Sequence, residues 1–202
     1  MKGNGQKMKE LILASSSPRR KEILSHIGLD FKVIIADADE ENDLPNDVRT
    51  LVMTLAERKA AIVAENHKDS IVIGSDTVVS IEGKVLTKPR SEAEAREMLK
   101  RLSGNTHSVF SGLCVISGEK KICRCDETRV FMKPLDKDEI DRYVATGEPM
   151  DKAGAYGAQD LGGVFVERIE GDHYNVVGLP LAMLYKILKD EFDFSLLEAV
   201  KR

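Results

Sequence analysis

The sequence lacks several features that would assign it to a specialised class of protein. No apolar run approaches the roughly 18 residues that a membrane-spanning helix requires, so no such helix is expected. The N-terminal stretch MKGNGQKMKE also lacks the apolar segment of a secretory signal peptide. We therefore expect a cytoplasmic protein with no membrane partner, in which residues 1–9 form a flexible leader and residues 10–202 form a single domain.

The sequence also lacks an excess of basic charge. Its 30 Lys and Arg residues are outnumbered by 34 Asp and Glu residues, which gives a formal net charge of -4. A protein dedicated to nucleic acid or to a membrane surface usually carries a basic excess. Stable nucleic-acid binding is therefore not expected, although a local basic pocket for a small anion is compatible with this charge balance.

Cysteine is scarce, and the three cysteines are Cys114, Cys123 and Cys125. An odd number of cysteines suits a reducing compartment. Cys123 and Cys125 are two residues apart, so they would share one face of a strand. The four histidines do not complete a zinc-like ligand spacing. We therefore interpret the cysteines as buried thiols rather than as metal ligands.

Two common nucleotide-binding patterns are absent. The glycine-rich stretch 151–163, DKAGAYGAQDLGG, has neither the G-x-G-x-x-G order nor the G-x-x-x-x-G-K-[ST] pattern. A dinucleotide-binding fold and a P-loop enzyme are therefore not supported. Glycines would still let the backbone approach a flat ligand closely, and the Gln159 amide can read a base edge. A plain flexible loop is the alternative interpretation.

The sequence does contain an alternation of helical and strand patterns. Apolar spacing and capping residues predict helices over 18–27, 47–66, 91–104, 137–145 and 180–189. Short apolar or alternating runs predict strands over 10–14, 31–35, 71–76, 107–117, 121–132 and 163–171, and a hairpin around Glu82-Gly83. Helices interleaved with strands of mixed direction predict an α/β fold.

The stretch LILASSSPRR, residues 11–20, places positive charge where a helix tolerates it poorly. Ser17 is expected as the N-cap and Pro18 as the first helical residue, so Arg19 and Arg20 fall in the first turn. A helix N-terminus already carries about half a positive charge. A bound phosphate would remove this conflict, because guanidinium and backbone N–H groups both bind it. Screening of both arginines by solvent is the alternative.

Other polar residues follow predicted strands. Asp76 and Thr77 come after the apolar run IVIGS, and ligands in α/β sheets bind at strand ends, so Asp76 is a candidate base or metal ligand. Lys88 precedes Pro89 and a predicted helix start. Taken alone, Asp76 also fits an ordinary turn and Lys88 an exposed loop.

An acidic run, DADEEND, follows the predicted strand 31–35. Asp39 or Glu40 is a candidate oxygen ligand for a Mg²⁺ ion carried by phosphates, and a solvated surface is the alternative. Lys59 falls in the middle of the predicted helix 47–66, where a lysine can simply extend to solvent.

Five segments occur together in one order: LASSSPRR, GSDTVV, TKPRSEAEAREMLKRLSG, GEPMDKAGAYGAQ and IEGDHYNVVGLPL. In this combination the sequence closely resembles the Maf family of nucleoside triphosphate pyrophosphatases, also called septum formation inhibitors, over 10–189. The resemblance implies an ITPase-like α/β fold, with an elongated mixed sheet and two lobes around a deep cleft. It also implies hydrolysis of a nucleoside triphosphate to the monophosphate and pyrophosphate with a divalent metal, Mg²⁺ or Mn²⁺.

The resemblance carries roles onto residues of this chain. It implies that Asp76 is the catalytic base, and that Glu40 and Asp76 lie at the metal. The implied phosphate contacts are Ser15, Arg19, Arg20, Lys59 and Lys88. The segments SDT and GAYGAQ are similar to those of the dTTP/UTP type, whose specificity positions match Arg19, Thr77 and Gln159. Thr87 and Asp160 stand where the family usually has glycine, which weakens the assignment of the exact pyrimidine preference.

Two alternatives remain at this point. One is a pyrophosphatase for another nucleotide, such as a methylated guanine or a cytidine triphosphate. The other is a regulatory protein that acts on cell division, as the family's older name suggests. A binding protein would tolerate Asp76→Asn, whereas an enzyme would not. A homodimer is an expectation from the family alone.

Overall fold

The computed structural model describes residues 9–40 and 42–200. Almost all of the predicted leader, residues 1–8, lies outside the described residues. The described chain forms a mixed seven-stranded sheet with helices packed on both faces, which confirms the predicted α/β class. Within the described chain, no helix is long and apolar enough to cross a membrane.

Most predicted elements are present with shifted ends. The strands are β1 (Leu11–Ala14), β2 (Lys32–Val33), β3 (Ile71–Ile81), β4 (Lys84–Leu86), β5 (Thr106–Ser117), β6 (Lys120–Met132) and β7 (Val166–Glu170). The helices are α1 (Pro18–His26), α2 (Val48–Ala64), α3 (Glu92–Leu102), α4 (Lys137–Ala145), α5 (His173–Val177), α6 (Leu181–Phe192) and α7 (Leu196–Ala199). Short 3₁₀ turns cover Glu148–Asp151, Ala153–Ala155 and Leu161–Phe165.

The strand order is β2-β1-β3-β5-β6-β7, and β4 pairs with β3. β1 runs parallel to both of its neighbours, whereas β5, β6 and β7 pair antiparallel. One apolar core packs α1 and α6 against the β1 end of the sheet, and a second packs α3 and α4 against the other end. These two cores fit the expected two lobes.

The prediction that a short strand ends at Asp76 is wrong. β3 continues without a break to Ile81, because β5 pairs with it along its length from Val72 to Ser80. On its other edge, β3 pairs with β1 as far as Gly74 and with β4 only from Val79 onward. In the described chain, residues 75–78 therefore have no strand partner on that edge, and this gap opens the sheet to a ligand.

Helix α2 lies unusually close to the sheet, which places its side chains over this gap. A Cβ atom added at Gly74 would collide with the carbonyl oxygen of Ala56, and one added at Gly112 would collide with that of Val52. The helix start is fixed by Asp47, whose carboxylate accepts a hydrogen bond from the backbone N–H of Thr50 at 2.8 Å. The two glycines therefore set the distance between α2 and the strands that carry the site.

The interpretation of the cysteines as buried thiols is wrong for two of them. Cys114 on β5 and Cys123 on β6 are direct register partners, with Cα atoms 4.1 Å apart, and they form a disulfide. The antiparallel hairpin brings them face to face, a pairing that spacing within a single strand does not reveal. Cys125 is a free, half-buried thiol, and burial raises its pKa to about 11.

Candidate active site

A cleft of about 570 Å³ opens at the unpaired edge of β3. Every site residue that the family resemblance implied lines it: Ser15, Arg19, Arg20, Glu40, Lys59, Asp76, Thr77, Lys88 and Gln159. Of the two candidate acidic ligands, Glu40 lines the cleft and Asp39 does not. These residues come from segments far apart in the chain, and the fold brings them to one place. Lys88 and Gln159 are exposed at the walls of the cleft.

A buried ion pair forms the floor of the cleft. Lys59 Nζ on α2 lies 2.6 Å from Asp76 Oδ1 on β3, and each residue is only 9% exposed. Lys59 Nζ also lies 3.0 Å from Oε1 of the exposed Glu40. One ammonium therefore holds two carboxylates at the same side of the cleft. Pairing offsets the large cost of burying these charges.

The same two carboxylates fit a Mg²⁺ ion that arrives with a phosphate chain. Glu40 and Asp76 supply oxygen ligands, which Mg²⁺ prefers. Among the described residues, no group of three His, Cys, Asp or Glu side chains forms a ready-made metal cage. A site with one or two carboxylates, completed by waters and substrate phosphates, is the usual arrangement for Mg²⁺.

Arg20 is buried with all of its direct contacts made to neutral oxygens. Its Nε donates to the Gly178 carbonyl at 2.8 Å, Nη1 to Ser15 Oγ at 3.1 Å, and Nη2 to Thr77 Oγ1 at 3.2 Å. Burial lowers the pKa of the guanidinium, and the nearby Asp76 carboxylate partly offsets that effect. Arginine nevertheless stays protonated. Among the described residues no carboxylate binds this guanidinium, so its charge at the cleft wall suits an incoming anion.

The start of α1 has the predicted position but a different cap. Ser17 occupies the N-cap, yet its side chain makes no capping hydrogen bond. Ser15 Oγ accepts from the Ser17 N–H at 3.2 Å as well as from Arg20. Residues 15–20 all line the cleft, so the positive end of α1 faces it. The screened-arginine alternative is therefore wrong for Arg20, which is only 8% exposed.

Arg19 reaches across the cleft to a residue that the sequence did not single out. Its Nη1 donates to Asp151 Oδ2 at 2.8 Å and its Nη2 to the Asp151 carbonyl at 3.1 Å. Asp151 also accepts from Lys152 Nζ at 2.9 Å. Burial alone would raise the pKa of Asp151, but hydrogen bonds from Lys152 and Arg19 outweigh it and lower the pKa. Lys152 is a buried cation at the cleft that sequence reasoning missed.

The two departures from the family pattern have structural explanations. Asp160 Oδ2 lies 3.5 Å from Lys152 Nζ, so its extra carboxylate faces a cation within the chain. The carbonyl of Thr87 accepts a hydrogen bond from the N–H of Gly154 at 3.2 Å. Thr87 does not adopt the left-handed conformation that favours glycine. Position 87 therefore does not require glycine, and the Asp160 carboxylate has a cationic partner.

The loop that carries Gln159 is held by two residues from outside it. Tyr143 on α4 accepts from the Gly157 N–H at 3.2 Å and donates to Glu148 Oε1 at 2.8 Å. Glu148 also accepts from the Gly162 N–H at 3.0 Å. Burial, together with Glu148, raises the pKa of the Tyr143 phenol, which keeps it protonated. The glycine-rich segment is therefore a wall of the cleft that is hydrogen-bonded to Tyr143 and Glu148, which favours the ligand-binding interpretation over that of a plain flexible loop.

Tyr156, another residue of the cleft wall, is joined to the sheet through His107. Its hydroxyl lies 2.8 Å from His107 Nε2, and the two rings meet edge to face. His107 Nδ1 is buried without a partner in the described structure. Burial lowers the pKa of His107 to about 4, so this imidazole is neutral at physiological pH.

This lowered pKa predicts a loss of stability in mild acid. Below about pH 6.5 the unfolded chain protonates this histidine while the folded chain does not, so stability falls as the pH drops toward the folded pKa. The free energy of unfolding should fall by about 2 kcal/mol more between pH 7 and pH 5 in the wild type than in His107→Gln. Urea unfolding at a series of pH values measures the difference. His26→Gln, at an exposed position on α1, is the control and should retain the wild-type slope.

The sequence of the chain matches a known protein family over most of its length. Residues 10–191 match the family described as Maf-like protein. The chain belongs to the Maf family. It is 45% identical over 195 residues to a dTTP/UTP pyrophosphatase of Bacillus cereus (strain ATCC 10987 / NRS 248), with 96% of each chain covered. It is 46% identical over 192 residues to a dTTP/UTP pyrophosphatase of Bacillus mycoides, covering 95% of this chain and all of that one.

A solved structure supports the fold assignment. The Staphylococcus aureus Ham1 protein superimposes with a TM-score of 0.54 at 13% sequence identity, covering 91% of this chain and all of that one. At this identity the likeness concerns the fold alone. It confirms the ITPase-like architecture that the resemblance to the Maf family implied.

Proposed function

We propose that this chain is a nucleoside triphosphate pyrophosphatase that hydrolyses dTTP and UTP to the monophosphate and pyrophosphate. The observation that carries the proposal is the buried Asp76–Lys59 pair, which lies in one cleft with Arg19, Arg20 and Lys88. The names of the relatives with 45–46% identity, dTTP/UTP pyrophosphatases, support the same substrates.

The charges of the cleft match those of a nucleoside triphosphate. Such a substrate carries about four negative charges, which charge-assisted hydrogen bonds and the positive end of a helix stabilise. Arg20 and the first turn of α1 lie at one wall, and Lys59 lies at the floor. A protein of net charge -4 therefore needs only this local group of cations to bind its substrate.

In the proposed reaction, Asp76 accepts a proton from a water molecule that attacks the α-phosphorus. A bond forms between the water oxygen and the α-phosphorus, and the bond to the oxygen that bridges the α- and β-phosphorus breaks. The bond electrons leave with pyrophosphate. Lys59 holds Asp76 Oδ1 at 2.6 Å and so fixes the orientation of the carboxylate that receives the proton. Arg20 stabilises charge on the phosphoryl oxygens.

A divalent metal, Mg²⁺ or Mn²⁺, would be held by Glu40 and Asp76. When bound, it would neutralise phosphate charge and polarise the phosphoryl group. The Lys59 ammonium already holds both carboxylates on one side of the cleft, so the protein supplies their placement in advance.

The nucleobase of the substrate would be selected by Arg19, Thr77 and Gln159. Asp151 fixes the guanidinium of Arg19 from the opposite side of the cleft. The amide of Gln159 offers both a donor and an acceptor to a pyrimidine edge. Gln159 lies between Gly157 and Gly162, whose N–H groups are bound by Tyr143 and Glu148, so its backbone position is well fixed.

The proposal is tested by pyrophosphate release from dTTP, UTP, CTP, dCTP, GTP, 7-methyl-GTP and ATP, with and without Mg²⁺. We expect metal-dependent turnover that is selective for dTTP and UTP. Selective turnover of another nucleotide would contradict the specificity assignment while leaving the role of Asp76 in place. A folded sample that hydrolyses none of them would contradict the proposed function and favour the binding-protein alternative.

A further inference from the structure

A short series of buried polar groups leads from the cleft into the sheet. Thr77 on β3 faces its register partner Ser111 on β5, and their hydroxyl oxygens are 2.8 Å apart. Ser111 Oγ in turn lies 3.0 Å from the backbone carbonyl oxygen of Asn175. Ser111 and Asn175 are both 0% exposed, whereas Thr77 lines the cleft. Ser111 is not among the residues that line the cleft, and its hydroxyl contacts the cleft residue Thr77 directly.

The far end of this series is rigidly held. Asn175 Nδ2 donates to the Val109 carbonyl and to Thr128 Oγ1, each at 3.0 Å. Thr128 is also fully buried. The Asn175 carbonyl is consequently a fixed acceptor behind Ser111, held by contacts to β5 and β6.

These distances determine which way the hydroxyl hydrogens point. Each hydroxyl has one hydrogen to donate, and a carbonyl has none. If Ser111 donates to the Asn175 carbonyl, Ser111 accepts from Thr77, and contacts of 3.0 Å and 2.8 Å are both hydrogen bonds. In the reverse arrangement Ser111 would donate to Thr77. The Thr77 hydrogen would then be left with the Gly178 carbonyl at 3.3 Å or with the cleft, and no hydrogen would lie between Ser111 and the Asn175 carbonyl. The first arrangement has the better geometry.

The direction has a chemical consequence on the cleft side. With its hydrogen committed to Ser111, the Thr77 oxygen has only lone pairs to offer, and one of them accepts from Arg20 Nη2 at 3.2 Å. Thr77 is then a hydrogen-bond acceptor toward any ligand. Thymine and uracil carry a hydrogen on N3, whereas the N3 of cytosine is an acceptor with no hydrogen.

We propose that Ser111 is a positioning residue that makes Thr77 a pure acceptor and thereby favours nucleotides whose base presents an N3–H donor. The inference rests on the proposed function, in which Thr77 faces the base. Ser111 rejects cytosine nucleotides by keeping the Thr77 hydrogen away from the cleft, because two acceptors then face each other without a hydrogen between them.

The test compares kcat and KM for dTTP and dCTP in the wild type and in Ser111→Ala. Without Ser111 the Thr77 hydroxyl is free to rotate and to donate to the cytosine N3. The ratio of kcat/KM for dTTP to that for dCTP should fall about tenfold, the usual effect of one hydrogen bond. The change should appear in KM, with kcat for dTTP within about threefold of the wild type, because Ser111 does not touch the reacting atoms.

Two further variants separate the proposed positioning effect of Ser111 from a non-specific loss of stability or activity. Ser117→Ala removes another buried hydroxyl from the same strand, at its far end, and should keep the wild-type ratio. Thr77→Val removes the hydroxyl that Ser111 orients, so adding Ser111→Ala to Thr77→Val should change the ratio no further. If Ser111→Ala loses its cooperative thermal transition, Ser111→Cys replaces it, because a thiol fills the space and makes only weak hydrogen bonds.

An unchanged ratio in Ser111→Ala would overturn the inference, and so would an equal fall in Ser117→Ala or an additive effect in the Thr77→Val background. These outcomes leave the proposed function intact as long as the wild type hydrolyses dTTP. A wild type that does not hydrolyse dTTP would overturn both the proposed function and the inference.

Discussion

Asp76→Asn is expected to lower kcat for dTTP by about a thousandfold, since a positioned general base contributes on this scale. It should also lower the melting temperature, because the buried Lys59 ammonium loses its closest carboxylate. Asparagine is nearly isosteric with aspartate and can still contact Lys59, but it cannot take a proton from water. The loss should therefore appear mainly in kcat. Because an amide is a weaker Mg²⁺ ligand than a carboxylate, the variant should also need more Mg²⁺ for half-maximal activity. Steady-state release of pyrophosphate, measured beside thermal denaturation, provides the two readouts.

The control for this variant is Asp69→Asn, at an exposed turn just before β3. It removes the same charge from the same region and should keep wild-type kinetics. If Asp76→Asn retained near-wild-type turnover in a folded sample, Asp76 would not be the general base, although the chain would still be a hydrolase.

Arg20→Met should lower kcat/KM for dTTP by about a hundredfold, because charge-assisted hydrogen bonds to phosphate contribute roughly 1.5–3 kcal/mol each. The variant also leaves the Gly178 carbonyl and Ser15 Oγ without the donors that Arg20 supplies. Each acceptor keeps a second donor, the Ser75 hydroxyl and the Ser17 N–H respectively, so the loss is that of ordinary hydrogen bonds, about 1 kcal/mol each, and the melting temperature should fall as well. Steady-state kinetics and thermal denaturation measure the two effects.

Lys21→Met is the matched control for Arg20→Met. Lys21 is the next residue on α1, carries the same charge and is exposed. Its loss should change kcat/KM by less than about threefold, because solvent screens exposed charges. Equal losses in both variants would mean that the general positive charge of α1 binds the substrate and that the fixed guanidinium of Arg20 does not.

The proposed site residues could be named from the sequence because five segments, each a weak signal alone, together resemble one family. The arginines of SSSPRR conflict with the helix dipole, and Asp76 interrupts an apolar run. Asp76 was expected at the end of a short strand, but that expectation is wrong because β3 continues to Ile81. Its accessibility comes from the gap between β1 and β4, which depends on strand pairing between distant segments.

Other functional contacts lacked any local signal. Ser111 lies in an ordinary apolar strand, and its position beside Thr77 depends on the register between β3 and β5. Asn175 lies on α5, a helix of five residues that is too short for an apolar period to show. Lys152 lies in the glycine-rich segment 151–163, and its burial depends on the fold of that segment around Glu148 and Asp151. In each case the position of the residue depends on contacts that form only in the folded chain, so the local spacing of residues could not predict it.

The central claim is that water attacks the α-phosphorus of dTTP in the cleft beside Asp76. Hydrolysis in ¹⁸O-labelled water, with both products analysed by mass spectrometry, tests it most directly. The account predicts dTMP that carries one ¹⁸O atom together with unlabelled pyrophosphate. Formation of dTDP and orthophosphate, or label in the pyrophosphate, would contradict the account.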